Sequence, residues 1–255
     1  MAQFETEFCI GTLEGCRIAE SLGATRVELC SALSVGGLTP SLGMIRQARQ
    51  LCLHTKLHVL IRPRDGDFLY NKDELTVIVE DVKLAREAGA DGVAVGCLKP
   101  DGTVDLEAMQ QIIAVAGDMA ITFHRAFDVC ADQFQALHEL LSLGRISRIL
   151  TSGGYPTARE GLEQLTLLQQ QAQGTSIALM AASGVNEKNV VQIAQQSGIH
   201  QFHFSAKGYE PSAMSFIHPR VSFSPDGGFV YRNHVTDRAH ATATQAAVRE
   251  YFAHD

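Results

Sequence analysis

The chain has 255 residues, 45% hydrophobic and 19% charged, with a formal net charge of −7. That composition suits a large globular core, and an acidic chain without any Lys/Arg block argues against a nucleic-acid-binding surface. No stretch reaches the ~18 consecutive apolar residues of a membrane span, and the opening MAQFETEFCI, acidic and without a basic flank, does not read as a secretory signal.

In chain order, strands are predicted near residues 4–10, 25–30, 57–62, 92–97, 120–125, 148–152, 176–182 and 201–206. Helices are predicted over 12–22, 41–52, 73–88, 105–116, 133–143, 158–172 and 187–197. Four segments repeat one pattern: AESLGATRVELC (19–30), AREAGADGVAVG (85–96), LLSLGRISRILTSG (140–153) and AQQSGIHQFHFSA (194–206). Each ends an amphipathic helix at a glycine suited to a left-handed cap, turns a short polar corner, and enters an apolar strand. Helix and buried strand in series imply parallel strands joined by crossover helices. The strand count favours one (β/α)8 TIM-barrel domain, which uses about 250 residues. An open doubly wound sheet is the alternative, but no GxGxxG follows the first strand.

The eighth helix is delayed. A Gly-, Pro- and Ser-rich segment, 208–235, containing an SPDGG turn, separates the last strand from a helical pattern over 236–252 that opens with a Thr-Asp cap. A connection this long between the eighth strand and the eighth helix is expected to cover the barrel rim. The chain thus divides into a barrel core (4–206), a rim segment (208–235) and a closing helix.

Side chains of one parity share a face of a strand. Glu5, Glu7 and Cys9 oppose Phe4, Thr6, Phe8 and Ile10, and Glu28 and Cys30 oppose Val27 and Leu29. His58, Arg62 and Arg64 oppose Val59 and Ile61; Thr122 and His124 oppose Ile121 and Phe123; His203 and Ser205 oppose Phe202 and Phe204. The apolar face must meet the helices, so the polar face points into the barrel. The stretch ITFHRAFD (121–128) then runs from barrel wall to barrel mouth, where active sites of such folds sit.

Buried charges need partners. Glu28 is expected to pair with Arg62 on the neighbouring strand, with Glu7 and His124 joining the network. A salt-bridge cluster that merely fills the barrel is one outcome. Arg62, Arg64 and Arg125, crowded at the mouth, point instead to an anionic guest. The loops TSGG (151–154) and AASGVNEKN (181–189) are expected to add backbone donors, making Ser152, Gly153 and Gly184 further anion-binding candidates, with Ser205 on the polar face of the eighth strand. Six cysteines without a CxxC motif read as reduced thiols of a cytoplasmic protein rather than a disulfide frame.

The blocks VELCSALSVGGLTPS (27–41), IRPRDGDFLY (61–70), ITFHRAFD, RILTSGG (148–154) and FHFSA (202–206) resemble the signature blocks of the CutC copper homeostasis protein family, in register over about residues 5–206 and again in the final helix. The resemblance implies a cytosolic TIM barrel, homodimeric or larger, that binds Cu(I). It carries the family's copper-binding thiols onto Cys9 and Cys30, which strand parity independently turns inward; soft thiolates suit Cu(I). Cys16, Cys52, Cys97 and Cys130 read as packing residues. Three departures from the family pattern stand out: Asp65 replaces a glycine, Ala182-Ser183-Gly184 replaces a Gly-Gly or Gly-Ala pair, and Ile217-His218 replaces an Arg-Asn pair.

Two functions follow as expectations. One is copper homeostasis, with the copper ion held by Cys9 and Cys30. The other is an enzyme acting on a small anionic, phosphorylated or carboxylated, metabolite, held by the mouth arginines, with His124 beside Glu28 as acid and base. A scaffold docking a protein partner is a third class that no residue favours. Neither nucleic acid nor a membrane is an expected partner.

Overall fold

The computed structural model describes residues 4–221 and 231–254. Strand and helix alternate as β1 (Glu5–Ile10), α1 (Leu13–Ser21), β2 (Arg26–Leu29), α2 (Leu42–Leu51), β3 (Lys56–Leu60), α3 (Lys72–Glu87), β4 (Gly92–Val95), α4 (Leu106–Ala116), β5 (Ala120–Phe123), α5 (Gln133–Ser142), β6 (Ile146–Thr151), α6 (Leu162–Ala172), β7 (Ala178–Ala181), α7 (Val190–Ser197) and β8 (Gln201–Phe204). The strands pair in chain order, all parallel, and β1 also pairs with β8. The sheet therefore closes into a (β/α)8 barrel rather than lying open.

Local chemistry explains the helix starts. Thr12, Ser41, Asp105 and Asp132 accept from backbone N–H groups of the first turns of α1, α2, α4 and α5. Asn71 and Glu74 form a reciprocal capping box on α3. The glycines of the four repeats, Gly23, Gly89, Gly144 and Gly198, all have positive φ, as the left-handed corner requires. Two helices begin later than their patterns indicate. Before α6, Gly161 packs so tightly over the Ser152 carbonyl that a Cβ there would overlap it. Before α7, the Asn186 and Asn189 side chains bond the Gly184 carbonyl, and Asn189 also accepts from the Asn186 N–H, so a side-chain turn displaces the first helical turn.

The strand faces separate as parity dictates. Phe8, Ile10, Val27, Leu29, Val59, Ile61, Phe123, Phe202 and Phe204 join the main hydrophobic core against the helices. Burying a side chain of this size stabilises the fold by about 1.5–3 kcal/mol. Inside the barrel the apolar groups form two small clusters, one of Cys30, Leu60 and Ala94, the other of Leu150, Met180 and Ala182. The remaining interior is polar.

Beyond β8 the rim segment opens as a two-stranded antiparallel ribbon, β9 (Lys207–Pro211) with β10 (Arg232–Thr236). The SPDGG turn, residues 224–228, lies outside the described residues. The closing helix α8 (Arg238–Ala253) follows, with Asp237 accepting from Ala239 N–H and His240 N–H. Among the described residues no helix is long and apolar enough to cross a membrane.

Candidate functional site

The inward side chains of β1, β2, β6 and β8 first build a floor. Glu7 Oε2 accepts from Arg26 Nε at 3.0 Å, and Glu7 Oε1 lies 2.8 Å from His203 Nδ1. Arg26 also donates to Glu5, and to Gln201 Oε1 at 3.1 Å; the same Gln201 oxygen accepts from Arg148 Nε at 3.1 Å. Burial alone would raise the Glu7 carboxyl, but the His203 hydrogen bond and the Arg26 charge outweigh it and hold Glu7 well below the usual carboxylate range. Arg26, two residues before Glu28 and of the same parity, is fully buried; sequence reasoning passed over it, although the period-2 pattern marked it.

Above the floor a cavity of about 360 Å3 opens at the C-terminal ends of the strands. It is lined by Cys9, Glu28, Arg62, His124 and His203 from the barrel, by Arg125, Gly184 and Ser205 from the strand-end loops, and by Leu33, Phe68 and Lys207 from loop and rim. Cys9, Glu28, Arg62, His124, Arg125, Gly184 and Ser205 thus meet at one mouth, as the strand pattern indicates. Leu33 and Phe68 come from loop segments that carry no periodic signal, and Lys207 opens the short ribbon strand β9.

The expected pairings inside the mouth are rearranged. Glu28 does not pair with Arg62: its nearest charged partner is His203, whose Nε2 lies 3.8 Å from Glu28 Oε2. Burial raises the Glu28 carboxyl despite His203, and the Glu7 carboxylate below adds to the rise. Burial pulls His203 down, but Glu28, Cys9 and Glu7 together raise it well above the ordinary imidazole value. Arg62 is instead locked by loop carbonyls: Nη1 donates to Val35 O at 2.8 Å and Gly37 O at 3.0 Å, and Nη2 to Gly66 O at 2.8 Å. Its guanidinium carbon lies 5.1 Å from the Phe68 ring centroid.

Among the described residues no hydrogen bond or ion pair joins His124 to Glu28. Burial, reinforced by the Arg62 charge, pushes the His124 imidazole down to about 3, so the ring is neutral at working pH. Its ring packs against Phe68 at a tilt of 55°, with the centroids 4.9 Å apart. Two glycines of the fourth strand region make room for inward histidines: a Cβ at Gly92 would lie 2.6 Å from the His58 ring, and one at Gly96 2.8 Å from His124 Nδ1.

Three predicted anion contacts are spent elsewhere. Arg64 leaves the cavity and ties its own loop, bonding Glu74 at 2.5 Å and Asp67 at 2.9 Å, with the Tyr70 ring beneath it. The TSGG turn is filled by the protein's own carboxylate: Asp128 Oδ1 accepts from Ser152 N at 2.9 Å, Gly154 N at 3.1 Å and Thr151 Oγ1 at 2.6 Å. Ser152 and Gly153 therefore have no amide free for a guest, since Gly153 N donates to Thr151 Oγ1. Asp128 also takes Arg125 Nε at 2.7 Å, which aligns that half-exposed guanidinium along the cavity edge.

The thiols stand at the back of the mouth. Cys9 Sγ and Cys30 Sγ are 3.7 Å apart, and Cys30 Sγ donates to Ile10 O at 3.4 Å. The Cys30 contact, then burial, raise the Cys9 thiol well above its ordinary value. Cys9, Glu28 and Cys30 bring ligand atoms within 4.8 Å of one another, a compact donor set. Cys97 and Cys130, each pushed up by burial to about 12, and Cys16 and Cys52 are free thiols on other elements.

Fold and site together define the class, a closed (β/α)8 barrel with a polar cavity at the C-terminal mouth of its strands. The CutC family model matches residues 4–208. A Bacteroides thetaiotaomicron protein described as family protein CutC is 44% identical over 253 residues, 98% of this chain and 100% of that one. A Vibrio cholerae protein of the same description is 42% identical over 84% of each chain. The crystal structure of a Streptococcus agalactiae protein, described as a candidate copper homeostasis protein CutC, superposes with a TM-score of 0.75 at 33% identity, covering 80% of this chain and 99% of that one. The chain belongs to the CutC family.

Proposed function

We propose that the protein serves copper homeostasis by binding Cu(I) at the barrel mouth through Cys9 and Cys30. The observation that carries this reading is the thiol pair itself, two sulfurs 3.7 Å apart, Cys9 on β1 lining the cavity and Cys30 just beyond the neighbouring β2. Thiolates are the soft donors that select Cu(I) over harder ions. Both thiols must lose their protons to bind, so a raised Cys9 thiol makes the metal's affinity rise with pH. The description of the Streptococcus agalactiae relative points the same way.

An anaerobic Cu(I) titration against a chromophoric competitor tests it. One Cu(I) per chain is expected, with affinity lost in Cys9→Ser and in Cys30→Ser. A double variant that retains the full affinity sinks the reading.

A second reading rests on a separate observation. Glu28 Oε1, Arg62 Nε and His124 Nε2 are buried and, among the described residues, without hydrogen-bond partners, yet all three side chains line one cavity. Such atoms each cost on the order of 1–3 kcal/mol unless something bonds them. With Arg125 and Lys207 at the edge, the cavity suits a small organic anion.

A further inference from the structure

His124 has two ring nitrogens, and the fold has already used one. Its Nδ1 accepts from the Ala126 N–H at 3.2 Å, at the start of the short 3-10 turn that follows β5. A nitrogen that accepts carries no proton, so in the neutral ring the proton sits on Nε2. The ring is packed against Phe68 on one side, and Gly96 leaves just enough space at the Nδ1 edge. Its orientation is therefore held, and Nε2 is buried without a partner among the described residues. His124 is only 4% exposed, while its side chain forms part of the cavity wall.

We propose that His124 is a fixed neutral hydrogen-bond donor, and that its Nε2–H, in the field of the Arg62 guanidinium, receives a carboxylate or phosphate oxygen of a small organic acid bound in the mouth. This rests on the second reading above, that the cavity takes a small organic anion. Arg62 supplies charge rather than a mobile side chain, because the carbonyls of Val35, Gly37 and Gly66 hold it in place. An anion at this position would have one preorganised donor and one preorganised cation, neither needing to reorganise on binding. The depressed imidazole value, about 3, keeps His124 a donor without positive charge of its own through the neutral range. The Arg125 and Lys207 side chains at the cavity edge are placed for a second charged group of the same guest. The donor site lies on the β5 side of the mouth and the thiols on β1 and just beyond β2, so a guest anion and a metal use different walls.

Calorimetric titrations of the full chain with oxalate, 3-phosphoglycerate and inorganic phosphate test this, beside His124→Phe, which keeps the ring and removes the N–H, and His124→Gln, which restores a donor. Binding of at least one probe is expected, weakened about 10- to 100-fold in His124→Phe and recovered in His124→Gln. Oxalate and inorganic phosphate separate a carboxylate from a phosphate preference. A probe that binds His124→Phe as tightly as the parent overturns the donor role and leaves the anion cavity standing. Failure of all three probes to bind overturns the cavity reading and the donor role with it. Nitrogen-15 NMR of the parent protein gives a further arm that needs no variant. A protonated Nε2 with a bare Nδ1 is expected at neutral pH, and the reverse tautomer overturns the inference.

Discussion

The floor and the mouth of the same barrel treat buried charge in opposite ways. On the floor, Glu5, Glu7, Arg26, Arg148, Gln201 and His203 bond one another side chain to side chain, although Arg148 Nη1 finds no partner among the described residues. At the mouth, among the described residues, the Arg62 and His124 side chains hydrogen-bond only backbone, and each keeps a polar atom without a partner, as does Glu28. Side chains that satisfy one another are a structural solution to burying charge, whereas atoms left bare around a cavity are where the proposed guest would complete the bonding. Charged residues inside a barrel are therefore informative about ligands only after their internal partners are subtracted.

The largest expected effect breaks the floor. Arg26→Met leaves Glu7 buried without its guanidinium, and a loss of about 3–5 kcal/mol is expected in urea unfolding. An Arg26→Met protein as stable as its parent would mean that the floor network does not hold the barrel, and the contrast with the mouth would fail.

A smaller effect distinguishes the two regions by pH. His58 and His124 are lowered in the fold, chiefly by burial, to about 4 and about 3. Below the unfolded value near 6.5, these two histidines bind protons in the unfolded chain that the folded chain refuses, so their share of the stability falls as pH falls, against the opposite trend from the raised Glu28 and His203. The slope is about 1.4 kcal/mol per pH unit for each histidine. Glu7, depressed in the fold, adds a loss in the same direction once the pH drops below 4.5. Calorimetric melts from pH 7 to pH 4 are expected to show His124→Phe losing stability less steeply than the parent, by about one proton. Identical slopes would show that His124 is not held neutral.

The smallest effect concerns the loop arginine. Arg64→Ala removes partly exposed ion pairs to Asp67 and Glu74, and a cost of under about 1 kcal/mol is expected with no change in anion titrations. Arg62→Ala, by contrast, is expected to abolish them. Equal behaviour of the two variants would erase the distinction between an arginine that serves its loop and one that serves the cavity.

Particular residues show where sequence reasoning reached and where it stopped. Period-2 alternation correctly turned Glu7, Cys9, Glu28, Arg62, His124 and His203 inward, because a strand buried against helices has no other way to place a charge. The same rule failed at Arg64, whose guanidinium is drawn out of the cavity by Glu74 and by Asp67 of its own loop. It also missed which imidazole meets Glu28: His203 rather than His124, since β1 pairs with β8 only through closure. The TSGG turn was read as a cradle for a foreign anion, but a carboxylate 24 residues away in sequence, Asp128, occupies it.

Composition, the repeated glycine corners and the alternation of strand faces determined, without coordinates, that this chain forms a (β/α)8 barrel with polar groups inside, because those signals act over a few neighbouring residues. Which charge neutralises which, and which atoms are left for a guest, was decided by ring closure and by loops that fold back over the mouth. Partners in a low-dielectric interior are chosen by ångström-scale distance between strands remote in sequence, and no local pattern of residues encodes that distance.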